Sequence, residues 1–65
     1  MARTFDRELR RILTDAGCRL VRQGKGDHEI WFRPANGRHF TVDRGVTSRH
    51  TANGTLKDAG LKKAF

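Results

Sequence analysis

The sequence predicts one small α+β domain with the element order α-β-β-β-α. Apolar residues recur at helical spacing in two segments, residues 4–16 and 48–59. Between them lie three consecutive strand-like segments joined by short turns, which is typical of an antiparallel meander. Packing both helices on one face of a three-stranded sheet is the economical way to bury these apolar surfaces. A chain of 65 residues has room for a single domain, residues 1–65, with a small core.

The first predicted helix begins at Thr4, its expected N-cap, and ends at Gly17, its expected C′ residue. Asp6 and Glu8 suit the positive end of the helix dipole. The apolar stripe of this helix consists of Phe5, Leu9, Ile12, Leu13 and Ala16. The arginines off the stripe, of which Arg3 is the first, are interpreted as a solvent-exposed helix face.

The three strands are predicted at residues 18–23, 28–33 and 38–42. The first of them has mixed polarity, so its facing stays open. Residues 34–37, Pro-Ala-Asn-Gly, are predicted to form a tight turn, because proline presets φ and Asn-Gly tolerates positive φ. Residues 43–47 are predicted to be a loop.

Alternation divides the second and third strands into two faces each. The faces of the second strand are His28, Ile30 and Phe32 on one side and Glu29, Trp31 and Arg33 on the other. The faces of the third strand are Phe40 and Val42 on one side and His39 and Thr41 on the other. We expect His28 to share a face with two core residues, Ile30 and Phe32. The opposite face is then left for solvent or a partner, and its expected residues are Trp31, Arg33, His39 and Thr41.

The second helix is predicted to start after Ser48, its expected N-cap, and to end before Gly60. The buried stripe of this helix is expected to contain Ala52, Leu56 and Ala59. Beyond the helix, Leu61 and Phe65 are expected to fold back onto the core.

The charge balance favours a polyanionic partner. Lysine and arginine number 14 against 7 acidic residues, which gives a formal net charge of +7 and a pI of about 11.2. Nucleic acid is the leading candidate partner, followed by an acidic protein. An anionic membrane is disfavoured, because the chain has no long apolar run. The first residues are charged rather than apolar, and Cys18 is the only cysteine, so we expect a cytoplasmic protein without an internal disulfide or a zinc site.

Four motifs occur in a characteristic order. A helix ends with Ala-Gly at residues 16–17, and the run Leu-Val-Arg-Gln follows at residues 20–23. The turn Lys-Gly-Asp-His at residues 25–28 leads into an Ile-Trp-Phe strand, and the last helix ends with Leu-Lys-Asp-Ala-Gly-Leu at residues 56–61. With these motifs, residues 9–61 resemble HicA-type toxins, the small mRNA interferases of bacterial toxin–antitoxin pairs.

This resemblance implies a fold like that of double-stranded-RNA-binding domains, which has the same α-β-β-β-α order. It also implies cleavage of mRNA without a metal or other cofactor, and neutralisation by a HicB-type antitoxin. We expect the free chain to be monomeric.

Two positions depart from the family pattern. Many members carry serine before the histidine, whereas this chain carries Asp27. Asp27 could orient the imidazole of His28 or simply form the turn. Many members also carry Pro-Xaa-His after the third strand, where residues 42–45 read Val-Asp-Arg-Gly. His50 lies nearby in sequence and could substitute spatially for that second histidine.

Metal-free RNA cleavage needs a base for the 2′-hydroxyl, positive charge at the phosphate and an acid for the leaving oxygen. Imidazole suits acid–base work near neutral pH, so we assign catalysis to His28, at the start of a strand beside a glycine-rich basic turn. The candidate RNA- or phosphate-binding residues are Arg22, Lys25, Gly26, Asp27, Arg49 and His50. His50 or a water molecule could supply the acid.

The sequence is also compatible with two other functions. The first is a non-catalytic RNA-binding module with the same fold, for which His28 would be dispensable. The second is a protein-interaction domain whose basic face binds only an acidic partner. Trp31 could stack on a base or anchor a protein interface if it is exposed. His39 is expected to be an ordinary solvent-facing residue.

Overall fold

The computed structural model describes residues 4–65, so Arg3 lies outside the described residues. The strands form one antiparallel sheet in the order β1-β2-β3, and the predicted α+β fold is confirmed. The elements in chain order are α1 Asp6–Asp15, β1 Arg19–Gln23, β2 His28–Arg33, β3 Arg38–Asp43 and α2 Arg49–Asp58. Within residues 4–65, neither helix has the length and apolar character needed to cross a membrane.

The core lies between both helices and one face of the sheet. Its buried members are Leu9, Leu13, Cys18, Trp31, Phe40, Val42, Leu56 and Ala59. Leu61 and Phe65 pack against this cluster from the C-terminal segment, as the sequence predicts. The side chain of Asn53 fixes that segment, because its oxygen accepts hydrogen bonds from the backbone N–H groups of Ala64 and Phe65.

The start of α1 differs from the prediction. Phe5 is the N-cap residue, and no side chain caps the helix there, so the expected Thr4 cap is wrong. The carboxylate of Asp6 instead accepts hydrogen bonds from the backbone N–H groups of Gly45 and Val46, at 2.7 and 2.9 Å. This residue therefore ties the loop after β3 to the first turn of the helix.

The predicted ends of α2 are confirmed. Ser48 is the N-cap, and its hydroxyl accepts a hydrogen bond from the N–H of Thr51. Gly60 follows the helix with a φ of +82°, the left-handed conformation that favours glycine at this position. The three residues of the predicted buried stripe, Ala52, Leu56 and Ala59, are fully buried.

The predicted facing of β2 is wrong. In the β2–β3 register Trp31 pairs with Phe40 and Glu29 pairs with Val42, and residues directly opposite each other share a face. Trp31 and Glu29 therefore lie on the helix-covered face, where Trp31 is only 7% exposed. Arg33 lies there too, and its guanidinium donates hydrogen bonds to the carbonyls at the end of α2. Trp31 is thus a core residue rather than a surface anchor.

The other face of the sheet, called the open face below, carries His28 together with Ile30 and Phe32. The strand register assigns to it Arg19, Arg22, His28, Ile30, Phe32, His39, Thr41 and Asp43. The predicted exposure of His39 and Thr41 is confirmed. All residues of β1 are exposed, and a register shift between Leu20 and Arg22 interrupts the alternation in this edge strand.

Candidate active site

A tight turn at residues 24–28 leads into β2. The N–H of Gly24 donates to the carbonyl of His28 at 2.8 Å, and the N–H of His28 donates to the carbonyl of Lys25 at 3.3 Å. Gly26 has a φ of +65°, and a β-carbon on Gly24 would lie 3.0 Å from the carbonyl oxygen of His28. The two glycines therefore allow a turn tight enough to place Lys25 beside His28.

His28 and Asp43 form a pair on the open face. Nδ1 of His28 lies 2.6 Å from Oδ1 of Asp43, and the two side chains are 55% and 44% exposed. A carboxylate at Nδ1 favours the tautomer with the proton on that nitrogen. The lone pair of Nε2 is then free to take a proton from a ligand. We call His28 and Asp43 the dyad.

Asp43 is a candidate site residue that the sequence pattern does not reveal, because residues 43–47 are predicted to be a loop. The tight turn at residues 34–37 contains the signal that could have found it. Arg33 pairs with Arg38 across that turn, and continuing this register along both strands brings His28 opposite Asp43. A hairpin register therefore predicts the partner of His28, whereas a search for motifs near the histidine does not.

A buried carboxylate lies on the other side of the sheet from the dyad. Glu29 is 6% exposed and accepts hydrogen bonds from Trp31 Nε1 at 3.0 Å, Arg10 at 3.0 and 3.3 Å and Arg44 Nε at 3.2 Å. Burial raises the pKa of the Glu29 carboxyl, but the hydrogen bonds from Trp31 and Arg44 and the charge of Arg10 outweigh burial. The pKa is therefore held below its ordinary value of 4.5.

The same cluster reaches the backbone around the dyad. Arg10 donates to the carbonyl of Asp43 at 3.3 Å, and the N–H of Arg44 donates to the carbonyl of Asp27 at 3.0 Å. Arg44 also donates to the side chain of Gln23, whose amide group donates to the carbonyl of His28. These bonds hold the corner of the sheet that carries the dyad.

The residues predicted around His28 divide into two groups. Lys25, Gly26 and Asp27 are exposed in the turn, and Arg22 is exposed on β1 opposite Ile30. The carboxylate that contacts the imidazole is that of Asp43, while Asp27 contributes its backbone carbonyl to Arg44. The open face and its turn therefore bring together Arg22, Lys25, Gly26, Asp27 and His28.

Arg49 and His50 lie elsewhere, exposed in the first turn of α2. His50 lines a shallow groove whose other members are Asn53, Gly54, Lys57, Leu61 and Lys63. None of these residues belongs to the turn before β2 or to β3. A separate hollow of about 180 Å³ runs from Asp43 to Ser48 and Thr51, and neither Arg49 nor His50 lines it.

Neither the cysteine nor the acidic residues take part in a cluster of metal-binding side chains in the described part of the chain. Cys18 is free and buried, and burial raises the pKa of its thiol, an effect that the nearby charge of Arg33 partly offsets. Within residues 4–65, no three His, Cys, Asp or Glu side chains lie close enough together to hold a metal ion.

Fold and site together define a small basic α+β domain with a histidine–carboxylate pair on an open sheet face, a surface suited to a large ligand. The model of the family described as HicA toxin of bacterial toxin-antitoxin matches residues 7–64. The chain belongs to this family and is a toxin of a bacterial toxin–antitoxin system, as the resemblance predicts. Its family implies an antitoxin partner. No curated protein and no solved structure matches the chain significantly.

Proposed function

We propose that this toxin is an endoribonuclease that cuts mRNA without a metal ion, with His28 as the catalytic base. The observation that carries the proposal is the 2.6 Å contact between His28 Nδ1 and Asp43 Oδ1 on the open face. This contact occupies Nδ1 and leaves Nε2 available, which is the arrangement that general base catalysis needs. Membership of the toxin family and the net charge of +7 support the same reaction.

In the proposed reaction, Nε2 of His28 takes the proton of a ribose 2′-hydroxyl while the 2′-oxygen attacks the adjacent phosphorus. The bond from O2′ to phosphorus forms as the bond from phosphorus to O5′ breaks. The leaving 5′-oxygen takes a proton from a water molecule at the half-exposed dyad, and the hydroxide that remains takes up the proton that His28 removed. The products are a 2′,3′-cyclic phosphate and a 5′-hydroxyl end. Asp43 stabilises the imidazolium that forms on His28.

The turn before His28 supplies groups for the scissile phosphate. Lys25 is exposed there, and Arg22 adds a second positive charge on the open face. The backbone N–H groups of Lys25, Gly26 and Asp27 have no hydrogen-bond acceptor within residues 4–65. Consecutive free amides in a turn form an anion-binding concavity. We therefore place the phosphate over this turn, with Nε2 of His28 next to the attacking hydroxyl.

The proposed partner in the cell is a HicB-type antitoxin. We propose that the free toxin is monomeric and acts in the cytoplasm, where mRNA is translated. The antitoxin would neutralise it by covering the dyad, which is accessible on the open face. An acidic antitoxin surface would complement the positive charge of this chain.

The test is an incubation of purified protein in EDTA with a single-stranded RNA and with the same strand carrying 2′-deoxy sugars. We expect wild-type protein to cut only the ribose strand and to leave a 2′,3′-cyclic phosphate. We expect His28→Ala to cut neither strand while keeping the wild-type circular dichroism spectrum. His50→Ala is the matched histidine substitution, and its cleavage should persist because His50 lies on a separate groove.

Each contrary result has a distinct meaning. If His28→Ala cuts RNA at the wild-type rate, His28 is not the base and the proposal fails. If neither protein cuts but both bind RNA equally, the chain is a non-catalytic RNA-binding module. If His50→Ala also loses cleavage, the groove that contains His50 takes part in cleavage, and the assignment of the site to the open face alone fails.

A further inference from the structure

A row of planar side chains crosses the open face, with one member from each strand. The register pairs Phe32 of β2 with Arg19 of β1 and with His39 of β3. The rings of Phe32 and His39 have centroids 4.6 Å apart and planes 37° apart. The Cζ atom of Arg19 lies 5.5 Å from the centroid of Phe32. We call these three residues the aromatic row.

The aromatic row is open to solvent at its two ends, where Arg19 and His39 flank the ring of Phe32. Arg19 and His39 are exposed and Phe32 is only partly buried, whereas the neighbouring Trp31 takes the buried position in the core. Aromatic rings and guanidinium planes on a sheet surface are the groups on which proteins stack unpaired bases. The row therefore has the chemistry of a base-stacking platform.

The row lies on the same face as the dyad, further along β2. Phe32 lies four positions after His28, which corresponds to roughly 13 Å at the usual rise of a strand. Between the dyad and the row, the open face carries Arg22, Ile30 and Thr41 as a second cross-strand row. An extended nucleic-acid strand could follow β2 from the dyad to the aromatic row and pass the charge of Arg22.

We propose that the aromatic row is a base-stacking subsite for single-stranded RNA, which binds one nucleobase of the substrate a short distance from the bond that the dyad cleaves. This inference rests on the proposed endoribonuclease function and specifies the form of its substrate. Duplex RNA does not fit the subsite, because its bases are stacked on each other and are not available to a flat side-chain surface.

The first experiment measures binding rather than cleavage. The probe is a fluorescent single-stranded oligoribonucleotide with 2′-O-methyl riboses, which lacks the nucleophile and stays intact whether or not the protein is an enzyme. Phe32→Leu keeps an apolar side chain but removes the ring against which Arg19 and His39 pack, and we expect it to weaken binding about tenfold, within the range for loss of one stacked base. Phe32→Tyr keeps the ring and should retain wild-type affinity.

Phe65→Leu is the matched control. It makes the same chemical change at another partly buried phenylalanine, whose ring packs edge-on against Phe5 away from the open face. We expect this variant to bind the probe as the wild type does, even if its thermal stability falls as much as that of Phe32→Leu. Arg19→Gln changes an exposed residue of the row and should also weaken binding without affecting folding.

A second experiment locates the base. Abasic substitutions are placed one at a time along the same probe, and wild-type protein should lose affinity at one position. Phe32→Leu should bind that abasic probe and the complete probe equally, because this variant cannot make the stacking contact with either of them. Equal losses at this position in the two proteins would overturn the subsite.

The other outcomes separate this inference from the proposed function. Phe32-dependent binding without cleavage of any ribose strand would support the subsite and reject the enzyme. Cleavage by wild type with unchanged probe affinity in Phe32→Leu and Arg19→Gln would keep the enzyme and overturn the subsite. Equal competition by a duplex of the same sequence would also overturn it. So would a Phe32→Leu protein that binds RNA normally but no longer binds the antitoxin, because the row would then be a protein interface.

Discussion

Glu29→Gln tests whether the buried charge cluster stabilises the fold. The substitution preserves the size of the side chain and one carbonyl oxygen, but it replaces the second oxygen by an NH2 group that cannot accept a hydrogen bond. The carboxylate now receives bonds from Trp31, Arg10 and Arg44. Glutamine would leave at least one guanidinium without its acceptor, and it would remove the negative charge between two positive ones.

The expected loss of stability follows from the burial of the partners. Removing one member of a fully buried ion pair costs about 3–5 kcal/mol. The side chains of Arg10 and Arg44 are 23% and 54% exposed, so water replaces part of what they lose. Hydrogen bonds to charged groups contribute about 1.5–3 kcal/mol, and we therefore expect a loss of about 2 kcal/mol at pH 7.

The assay is urea unfolding of wild type and Glu29→Gln, monitored by circular dichroism. In thermal unfolding, a loss of about 2 kcal/mol should lower Tm by roughly 8–16 °C for a domain of this size. The pKa of Glu29 is lowered in the folded state, so its contribution is complete above its ordinary pKa of 4.5 and is lost as the pH falls through the folded value. The stability difference between the two proteins should therefore narrow between pH 7 and pH 3.

Glu8→Gln is the matched control, because Glu8 is the other glutamate and is exposed in the first turn of α1. Its favourable interaction with the helix dipole is worth about 0.3–1 kcal/mol, so a smaller loss is expected. The reasoning is refuted if Glu29→Gln is as stable as wild type at pH 7. It is also refuted if the difference stays constant in acid, since a titrating carboxylate would then not be the cause.

Two further substitutions probe the dyad and α2. Asp43→Asn should lower the cleavage rate about 10–100-fold, less than the ~10²–10⁴-fold that a complete loss of general base catalysis gives. The exposed pair contributes at most about 1 kcal/mol, so urea unfolding of this variant should stay close to wild type, and a large loss of stability would assign Asp43 a structural role instead. Gly54→Ala should stabilise the protein by about 0.5–1 kcal/mol, because a β-carbon there meets no atom within 4 Å and alanine favours the helix. Its Tm should rise in calorimetry, and a fall would mean that the added methyl group strains α2.

The element order could be predicted from local signals, whereas the facing of β2 could not. Spacing, caps and turn residues act within a few positions, so Gly17, Ser48 and Gly60 mark the helix ends correctly. In β2, apolar residues lie on both faces, and alternation alone does not say which face the helices cover. Long-range pairing decides it, because Trp31 opposes Phe40 in the register of the hairpin.

The candidate site could be predicted only in part for a similar reason. The glycine turn and His28 are adjacent in sequence, so a local motif is enough to predict both. Asp43 is distant along the chain and reaches the imidazole only through strand pairing. The burial of Glu29 is also hidden from composition, because carboxylates are rarely buried unless they are paired, and its partners come from α1 and from the loop after β3.

Adjacent positions on β2 couple the charge cluster to the dyad. His28 lies on the open face and Glu29 on the covered one, so the two side chains share one segment of backbone. Arg10, held by Glu29, also donates to the carbonyl of Asp43. Arg44 contacts Glu29 with its side chain and Asp27 with its backbone N–H. Hydrogen bonds from the cluster therefore hold the backbone at Asp43 and next to His28. The small core of the chain provides little rigidity of its own.

This coupling means that Glu29→Gln should slow cleavage even at a temperature where the protein is fully folded. The dyad needs its 2.6 Å contact, and loosening the backbone of Asp43 would make that contact less frequent. Glu8→Gln, which leaves the cluster intact, should cut at the wild-type rate. If Glu29→Gln is less stable but cuts RNA as fast as wild type while folded, then strand pairing alone positions the dyad and the cluster serves only the fold.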